Sequence, residues 1–579
     1  MALLLLFFSF LQAAEAAGSN DIDALRYDAA VQLDFTNKSL SGVANIEFTS
    51  RRASLATIEL DATELTIEEV KEGAAALQFA TRPGKLSVQL ARPANQGETR
   101  TISVRYRAQP TRAVSFYPDH IYAAYATHRW MPCKFGTDDK AAISLQLTFP
   151  AEMKAVANGK LIAEEVLAGG LTQQLWRLDT PVTPYINGFA VGRFTEVVKS
   201  HGKVNLRSLT RGFDETQIEK IFADTADMLN FFEERAGVAY PFDTYTQVLA
   251  AGNPGQEMSG FTVIGERYGA AILQEPRNNR IFAHEFAHQW WGNAVTCANW
   301  NDFWLNEGVA EFMMAAYREH RLGRAEYEGD LQKAREVYAR VRAEGKDRPL
   351  SYKRAVPESQ AGGYIVYDKG ALMLHLLRFE LGEEAFWNGL RKFTKENFGG
   401  SVTTAQFQQA MEAARGKSLT RFFSQWIYGS DAPELTAKHR WERGQVIIEL
   451  RQKNPLQFPL QIAVETEDGR VSKRIELDSL RHEARIPARS QPLSIRVDDG
   501  GHLPFKVSHE RDTAMLLYQL EREPDVIGRV DAMKELQARI PNDLNLRTRF
   551  SAALQERLKN DSSRLVRELA QKALAEMSH

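Results

Sequence analysis

The 579-residue sequence predicts a multidomain α+β protein with a β-rich N-terminal part, a mainly helical middle, a small β block and a short helical C-terminal end. Three observations predict it. The length exceeds what one hydrophobic core supports, because domains typically hold about 100–150 residues. From about residue 20 to 195 apolar and polar residues alternate with period two, and from Asp214 to about Gly429 the apolar residues recur at helical spacing. Period two returns after Asp431-Ala432-Pro433, and helical spacing returns from about Ser508.

The first residues stand apart. Ala2 to Leu11 read ALLLLFFSFL without a charge, and Ala14-Glu15-Ala16 offers the small-x-small pattern that a signal peptidase accepts. Residues 1–16 are therefore read as a signal peptide, and the protein as exported, periplasmic or secreted. The apolar run falls short of the roughly 20 residues of a spanning helix. No Lys or Arg precedes it, so an uncleaved membrane anchor, or a misassigned start, is the competing reading. No later stretch is long and apolar enough to span a bilayer, so no stable membrane span is expected after signal cleavage.

The N-terminal β domain is expected over 17–197. Ile102, Val104 and Tyr106 in TISVRYRA, and Ile143, Leu145, Leu147 and Phe149 in AISLQLTFP, mark strands with one buried face. A helical domain follows over 198–432, opened by Ile218, Ile221, Phe222, Leu229 and Phe232 at helical spacing. VIIEL, FPLQIAVET and LSIRVDD give the strands of a small β domain over 433–507, with turns at Glu467-Asp468-Gly469 and Asp499-Gly500-Gly501. Pro524, Gly528 and Pro541 punctuate the helical end, 508–579.

Composition excludes several classes. Hydrophobic residues make up 44%, charged residues 25% and aromatics 10%, an ordinary globular balance that a disordered or fibrous chain does not have. Lys plus Arg is 72 and Asp plus Glu 74, a net charge of -2. No nucleic-acid partner is expected, since phosphate binding leaves a basic excess. Cys133 and Cys297 are the two cysteines, too few for a disulfide scaffold or a Cys-based zinc site.

The chemistry concentrates in His284-Glu285-Phe286-Ala287-His288 and in Asn306-Glu307-Gly308-Val309-Ala310-Glu311. Two residues at i and i+4 on a helix differ by about 40° in azimuth and about 6 Å in rise, so both imidazoles can meet one metal ion. Three protein ligands and one water make a catalytic zinc site. Trp291-Gly292-Asn293 breaks the first helix and Asn301-Asp302 is expected to cap a second, which would carry Glu307 to the metal as third ligand. A chance match to the five-residue pattern would be a surface helix with satisfied histidines. Here Phe282, Phe286, Trp290 and Trp291 surround it, and a buried His-Glu-His face without a ligand is costly.

These residues carry a family resemblance. His284-Glu285-x-x-His288 with eighteen residues before Glu307, set in HQWWGN and WLNEGVAEF, resembles the M1 zinc aminopeptidases, the family that includes leukotriene hydrolase. Trp130-Met131-Pro132-Cys133, Ala157-Asn158-Gly159, Gly188-Phe189-Ala190-Val191-Gly192, Tyr240-Pro241-Phe242 and the stretch from Phe423 to Pro433 are similar to further landmarks of that family. The resemblance implies a saddle-like N-terminal β domain, a thermolysin-like catalytic domain, a small β-sandwich and a helical C-terminal domain. It also implies one zinc ion per chain, held by His284, His288 and Glu307, and peptide substrates with a free N-terminus.

The roles follow from what peptide hydrolysis needs. Zinc would polarise the scissile carbonyl, and Glu285 would take a proton from water and return it to the leaving amine. Tyr367 in Tyr367-Asp368-Lys369-Gly370 resembles the family's oxyanion-stabilising tyrosine, with Tyr364 as its nearby rival. Glu311 reads equally as a carboxylate that orients a ligand histidine or as part of a solvated helix face. The family recognises the substrate α-amine with a Gly-x-Met-Glu-Asn strand. Here Pro254-Gly255-Gln256-Glu257-Met258-Ser259-Gly260 stands in its place, with Gln256 for the Met and Met258 for the Asn. Glu257 is the candidate amine anchor. A glutamine that the family places before its Pro-Cys landmark has no clear counterpart in IYAAYATHRWMPC. The leading expectation is an aminopeptidase. An altered zinc hydrolase, an endopeptidase or an epoxide hydrolase, and a catalytically silent binding homologue are the alternatives.

Overall fold

The computed structural model describes residues 21–352, 363, 365–430, 434–540 and 544–577. The expected signal peptide over 1–16 and Tyr364 lie outside the described residues. The chain forms two compact units. The first runs to Ala310 and includes Leu390–Phe407; the second comprises Glu311–Tyr352, the described part of 361–389 and the chain from Gln408 onward. Among the described residues no helix is long and apolar enough to cross a membrane.

In the first unit the period-two runs become strands. An eight-stranded sheet is built, in spatial order, from Lys160–Leu167, Leu171–Val182, Ala141–Pro150, Ile22–Asp34, Ser39–Ser50, Thr99–Ala108, Leu65–Glu72 and Ala75–Ala76. Ile102, Val104, Tyr106, Leu147 and Phe149 are fully buried, and their polar neighbours in sequence turn outward. Neighbouring strands of this sheet pair antiparallel, except that Ile22–Asp34 runs parallel to Ala141–Pro150. A four-stranded sheet orders Lys154–Ala157, Phe189–Gly192, His120–Ala123 and Val114–Phe116. These sheets share one apolar core.

The same unit holds the sheet that carries the site. Thr195–His201 and Val204–Thr210 lead into β1 (Thr244–Ala250), then β3 (Phe261–Gly265), with β2 (Gly255–Gln256) at the edge. Strand β1 runs parallel to both Val204–Thr210 and β3, while β2 is antiparallel to β3. Before β1, Asp214 and Gln217 form a reciprocal capping box that starts the helix Glu215–Ile221. The helix Thr225–Ala236 stops at Gly237, whose φ of 65° is the left-handed conformation that glycine adopts without strain. After β3 come α1 (Arg280–Ala287) and α2 (Trp304–Leu322), and the division between the two units falls within α2.

In the second unit the returning period-two pattern forms two sheets. One orders Arg481–Pro487, Gln445–Gln452, Leu435–Glu442 and Ser508–His509; the other orders Gly469–Leu477, Phe458–Thr466 and Ser494–Val497. Ser508–His509 pairs in parallel with Leu435–Glu442, so the helical end starts at Thr513. Among the described residues, the helices Thr513–Arg522, Val526–Arg539, Leu544–Asn560 and Arg564–Met577 follow, around a core of Leu516, Leu520, Val530, Leu536, Phe550 and Leu554. Asp512 and Asp525 cap the first two by accepting from Met515 N and Gly528 N.

Candidate active site

Helix α1 is fixed by its aromatic side. Phe286 is fully buried and stacks on Tyr245 of β1, with ring centroids 4.0 Å apart and planes at 5°. Complete burial of such a side chain stabilises by about 1.5–3 kcal/mol. Trp290 Nε1 donates to Val238 O at 2.9 Å, and Trp291 Nε1 donates to Thr394 Oγ1 at 3.0 Å. The same helix carries His284 and Glu285, both buried. The helix ends at Ala287 and His288 is its C-cap, with φ -57° and ψ -23°. His288 N still donates to His284 O, at 3.3 Å, so the one-turn relation between the histidines survives the helix end.

Beyond His288 the chain turns back. Gly292 N donates to Val295 O and Val295 N to Trp290 O. Gly292 has φ +127°, and a Cβ there would stand 2.7 Å from His288 Nδ1. The glycine is therefore required twice, by conformation and by space. That approach lets His288 Nδ1 donate to Trp291 O at 3.0 Å, which leaves Nε2 with its lone pair outward.

Glu307 arrives from the first turn of α2. The expected cap at Asn301-Asp302 is replaced by a 3₁₀ turn, Trp300–Asp302, capped by Asn299, and α2 begins at Trp304. Asp302 faces elsewhere, accepting from Thr404 Oγ1 at 2.7 Å and Thr404 N at 3.3 Å, because those donors satisfy a buried carboxylate. Next to Glu307, Asn306 accepts from Cys297 N and donates to the Tyr185 hydroxyl, both at 2.9 Å, and so locks the first turn of α2.

Three ligand atoms converge. His284 Nε2 and His288 Nε2 are 3.1 Å apart, and Glu307 Oε2 is 3.5 Å from the first and 3.3 Å from the second. A tetrahedral zinc ion with bonds near 2.0–2.1 Å sets its ligands about 3.3 Å apart. Glu307 is 1% exposed, and neither of its carboxylate oxygens accepts a hydrogen bond from the described residues. Two orphaned oxygens at that depth are costly unless a cation holds them. His284, His288 and Glu307 thus form a group that could hold a metal ion, with a donor set and spacing that fit zinc.

Two more carboxylates belong to the same place. Glu257 follows the edge strand β2 and, with Glu285 and His288, forms a second group whose ligand atoms lie within 4.8 Å of one another. Its segment is held by the turn after α1. Gln289 accepts from Gly260 N at 2.9 Å and donates to Met258 O at 3.0 Å, and Asn293 Nδ2 donates to Glu257 O at 2.9 Å. Gln289 and Asn293 belong to HQWWGN, a stretch whose spacing alone gives no sign that these two side chains hold the Glu257 segment.

The protein's own charges polarise this cluster. Burial, with Glu257 and Glu307 nearby, pushes Glu285 up to about 8 against the opposing pull of the histidines. Burial would also raise Glu307, but His288 and His284 hold it down to about 2. Burial raises Glu257. A dication among the ligand atoms favours ionised carboxylates and neutral imidazoles.

The remaining sequence candidates belong to the second unit. Tyr367 is half-buried in a π-helical turn, Ile365–Lys369. Glu311 is half-buried one turn after Glu307 on α2.

Comparison with known proteins follows the same lines. The family model described as Peptidase family M1 domain matches residues 221–426, and the Peptidase M1 N-terminal domain matches residues 23–186. Aminopeptidase 2 of Candida albicans is 21% identical over 523 residues, covering 83% of this chain and 56% of that protein. Aminopeptidase Ey of Gallus gallus is 28% identical over 314 residues, covering 50% and 32%, and aminopeptidase N of Escherichia coli is 25% identical over 342 residues, covering 55% and 39%. The chain thus spans about half the length, or less, of these relatives. The crystal structure of Legionella pneumophila aminopeptidase A in complex with aspartic acid shares the fold, with a TM-score of 0.80 at 17% identity over 96% of this chain and 69% of that one. With both domain models matched in chain order, over residues 23–186 and 221–426, the chain belongs to peptidase family M1.

Proposed function

We propose that this chain is a zinc aminopeptidase that hydrolyses the N-terminal residue from peptides. The observation that carries the reading is the position of Glu257, a carboxylate outside the metal-binding trio whose oxygen lies within 4.8 Å of ligand atoms of Glu285 and His288. A residue whose carbonyl reaches the metal has its α-amine about one residue's length away, where a buried carboxylate can pair with it. Glu257 selects exopeptidase chemistry by binding that amine.

One zinc ion per chain, held by His284, His288 and Glu307, supplies Lewis-acid polarisation and an acidified water when bound. Glu285 takes the proton from the attacking water and delivers it to the leaving amine. Tyr367, on the strength of the sequence resemblance, donates to the oxyanion that develops on the scissile carbonyl. The apolar run at residues 2–11 with Ala14-Glu15-Ala16 supports export.

The test combines metal analysis with a panel of aminoacyl reporters, each with a free and an N-acetylated amine. One zinc per chain and cleavage of the free-amine set alone are expected. Comparable cleavage of acetylated reporters sinks the reading in favour of an endopeptidase or altered hydrolase, and bound zinc without turnover of any reporter sinks it in favour of a silent homologue.

A further inference from the structure

Gln256 and Met258 flank Glu257 in place of the Met and Asn of the resembling family, and the structure gives Gln256 a partner. Its Nε2 donates to Glu257 Oε2 at 2.7 Å. The same oxygen accepts the Tyr125 hydroxyl at 3.2 Å, across 132 positions of sequence. Glu257 Oε1 is buried and accepts no hydrogen bond from the described residues. One carboxylate oxygen is therefore held by two neutral donors while its twin has no donor among the described residues, and an oxygen of this carboxylate lies within 4.8 Å of ligand atoms of Glu285 and His288.

Tyr125 is placed with some force. Tyr125 and Ala126 both have left-handed backbones, at φ 48° and 46°. Residues with side chains hold this conformation only where their surroundings impose it, and such sites gather where function needs them. The strand His120–Ala123 ends two residues earlier, and the 3₁₀ turn Thr127–Arg129 follows at once. That turn is pinned by Thr127 Oγ1, which donates to Pro184 O at 2.5 Å. The result is a tyrosine 37% exposed whose hydroxyl reaches a carboxylate that is 1% exposed. Burial first, and then the nearby carboxylates of Glu257, Glu307 and Glu285, raise this hydroxyl well above the usual tyrosine range.

We propose that Tyr125 and Gln256 are positioning residues of the amine anchor, which by occupying Glu257 Oε2 leave Oε1 as the acceptor for the α-ammonium group of the substrate. The inference rests on the aminopeptidase reading of the site. It accounts for the altered anchor segment as a substitution of one holding scheme for another. Gln256 replaces an apolar Met with a donor, and Tyr125 supplies a second donor in a stretch where the family's glutamine has no counterpart. Two hydrogen bonds to one oxygen fix the carboxylate rotamer, so substrate binding spends little on ordering it.

The test uses the full-length, metal-loaded enzyme with Tyr125→Phe, Gln256→Met and the double variant. KM and kcat are measured on free-amine and N-acetylated reporters, and thermal midpoints are recorded. Each single variant is expected to raise KM for the free-amine reporter about tenfold, with kcat within about twofold, the midpoint unmoved and the acetylated reporters still uncleaved. The double variant is expected to exceed either. Unchanged KM in both folded variants, with the parent enzyme still selective for the free amine, overturns the inference and leaves the aminopeptidase reading standing. A fall in kcat with KM unmoved assigns Tyr125 and Gln256 a structural role and overturns it too. A parent enzyme without preference for the free amine overturns inference and reading together. Should Tyr125→Phe fail to fold, Gln256→Met alone decides.

Discussion

The Nε2 atoms of His284 and His288 stand 3.1 Å apart with their rings at 84°, one from the last turn of a helix and the other from its cap. Two imidazole nitrogens at that separation, with Glu307 Oε2 within 3.5 Å of both, have more to gain from a shared cation than from each other. His288→Ala is expected to lower bound zinc well below one per chain and abolish turnover. A chelator is expected to inactivate the parent enzyme, and added zinc to restore it. Metal analysis alongside the assay checks both, and full activity after chelation to zero zinc overturns the metal role.

Glu285 is not among the three metal-site residues but is buried beside them. Glu285→Gln is expected to keep zinc stoichiometry and thermal midpoint while kcat falls by about 100- to 10,000-fold, the usual contribution of a positioned proton carrier. Retained turnover with normal zinc would refute the assignment.

Gly292 lies where a Cβ would come within 2.7 Å of His288 Nδ1, on a backbone at φ +127°. Gly292→Ala is expected to push the imidazole off Trp291 O and weaken zinc affinity about 10- to 100-fold, the typical loss when a ligand histidine loses its orienting partner. Competition with a chromophoric chelator measures it. Unchanged affinity would show that the turn relaxes without moving His288.

His509 in the second unit sets a pH response. Burial, reinforced by Arg511, His439 and Arg496, pushes its imidazole down to about 2. A folded-state value below the unfolded value of about 6.5 means that the unfolded chain binds the extra proton across that window, so stability falls as pH drops below about 6.5. The expected slope from this residue is about 1.4 kcal/mol per pH unit. Denaturant unfolding of the parent and His509→Gln between pH 6.5 and 4 should show a shallower decline in the variant, and parallel declines would dismiss the histidine as a cause.

Much of the fold was legible in the sequence because periodicity reports which side of an element is buried. Ile102, Val104 and Tyr106 alternate in sequence and are buried together in one strand, and Ile218, Ile221, Leu229 and Phe232 recur at helical spacing and are buried on helices. The helix start before Glu307 was less legible. Asn301 and Asp302 are good capping residues, yet Asp302 takes the donors of Thr404, about a hundred positions away, and the cap moves.

The sequence by itself determined the metal-binding trio as candidates and the order of sheets and helices. Both follow from local rules, the one-turn spacing of two histidines and the period of apolar residues. Only the tertiary structure decided what surrounds the metal site. Glu257 reaches Glu285 and His288 because β2 pairs at the edge of the sheet under α1, and Tyr125 reaches Glu257 because a strained turn at the end of a different sheet delivers it there. No local pattern encodes a hydrogen bond between residues 132 positions apart. It depends on strand pairing, and strand pairing is settled by the packing of the whole unit.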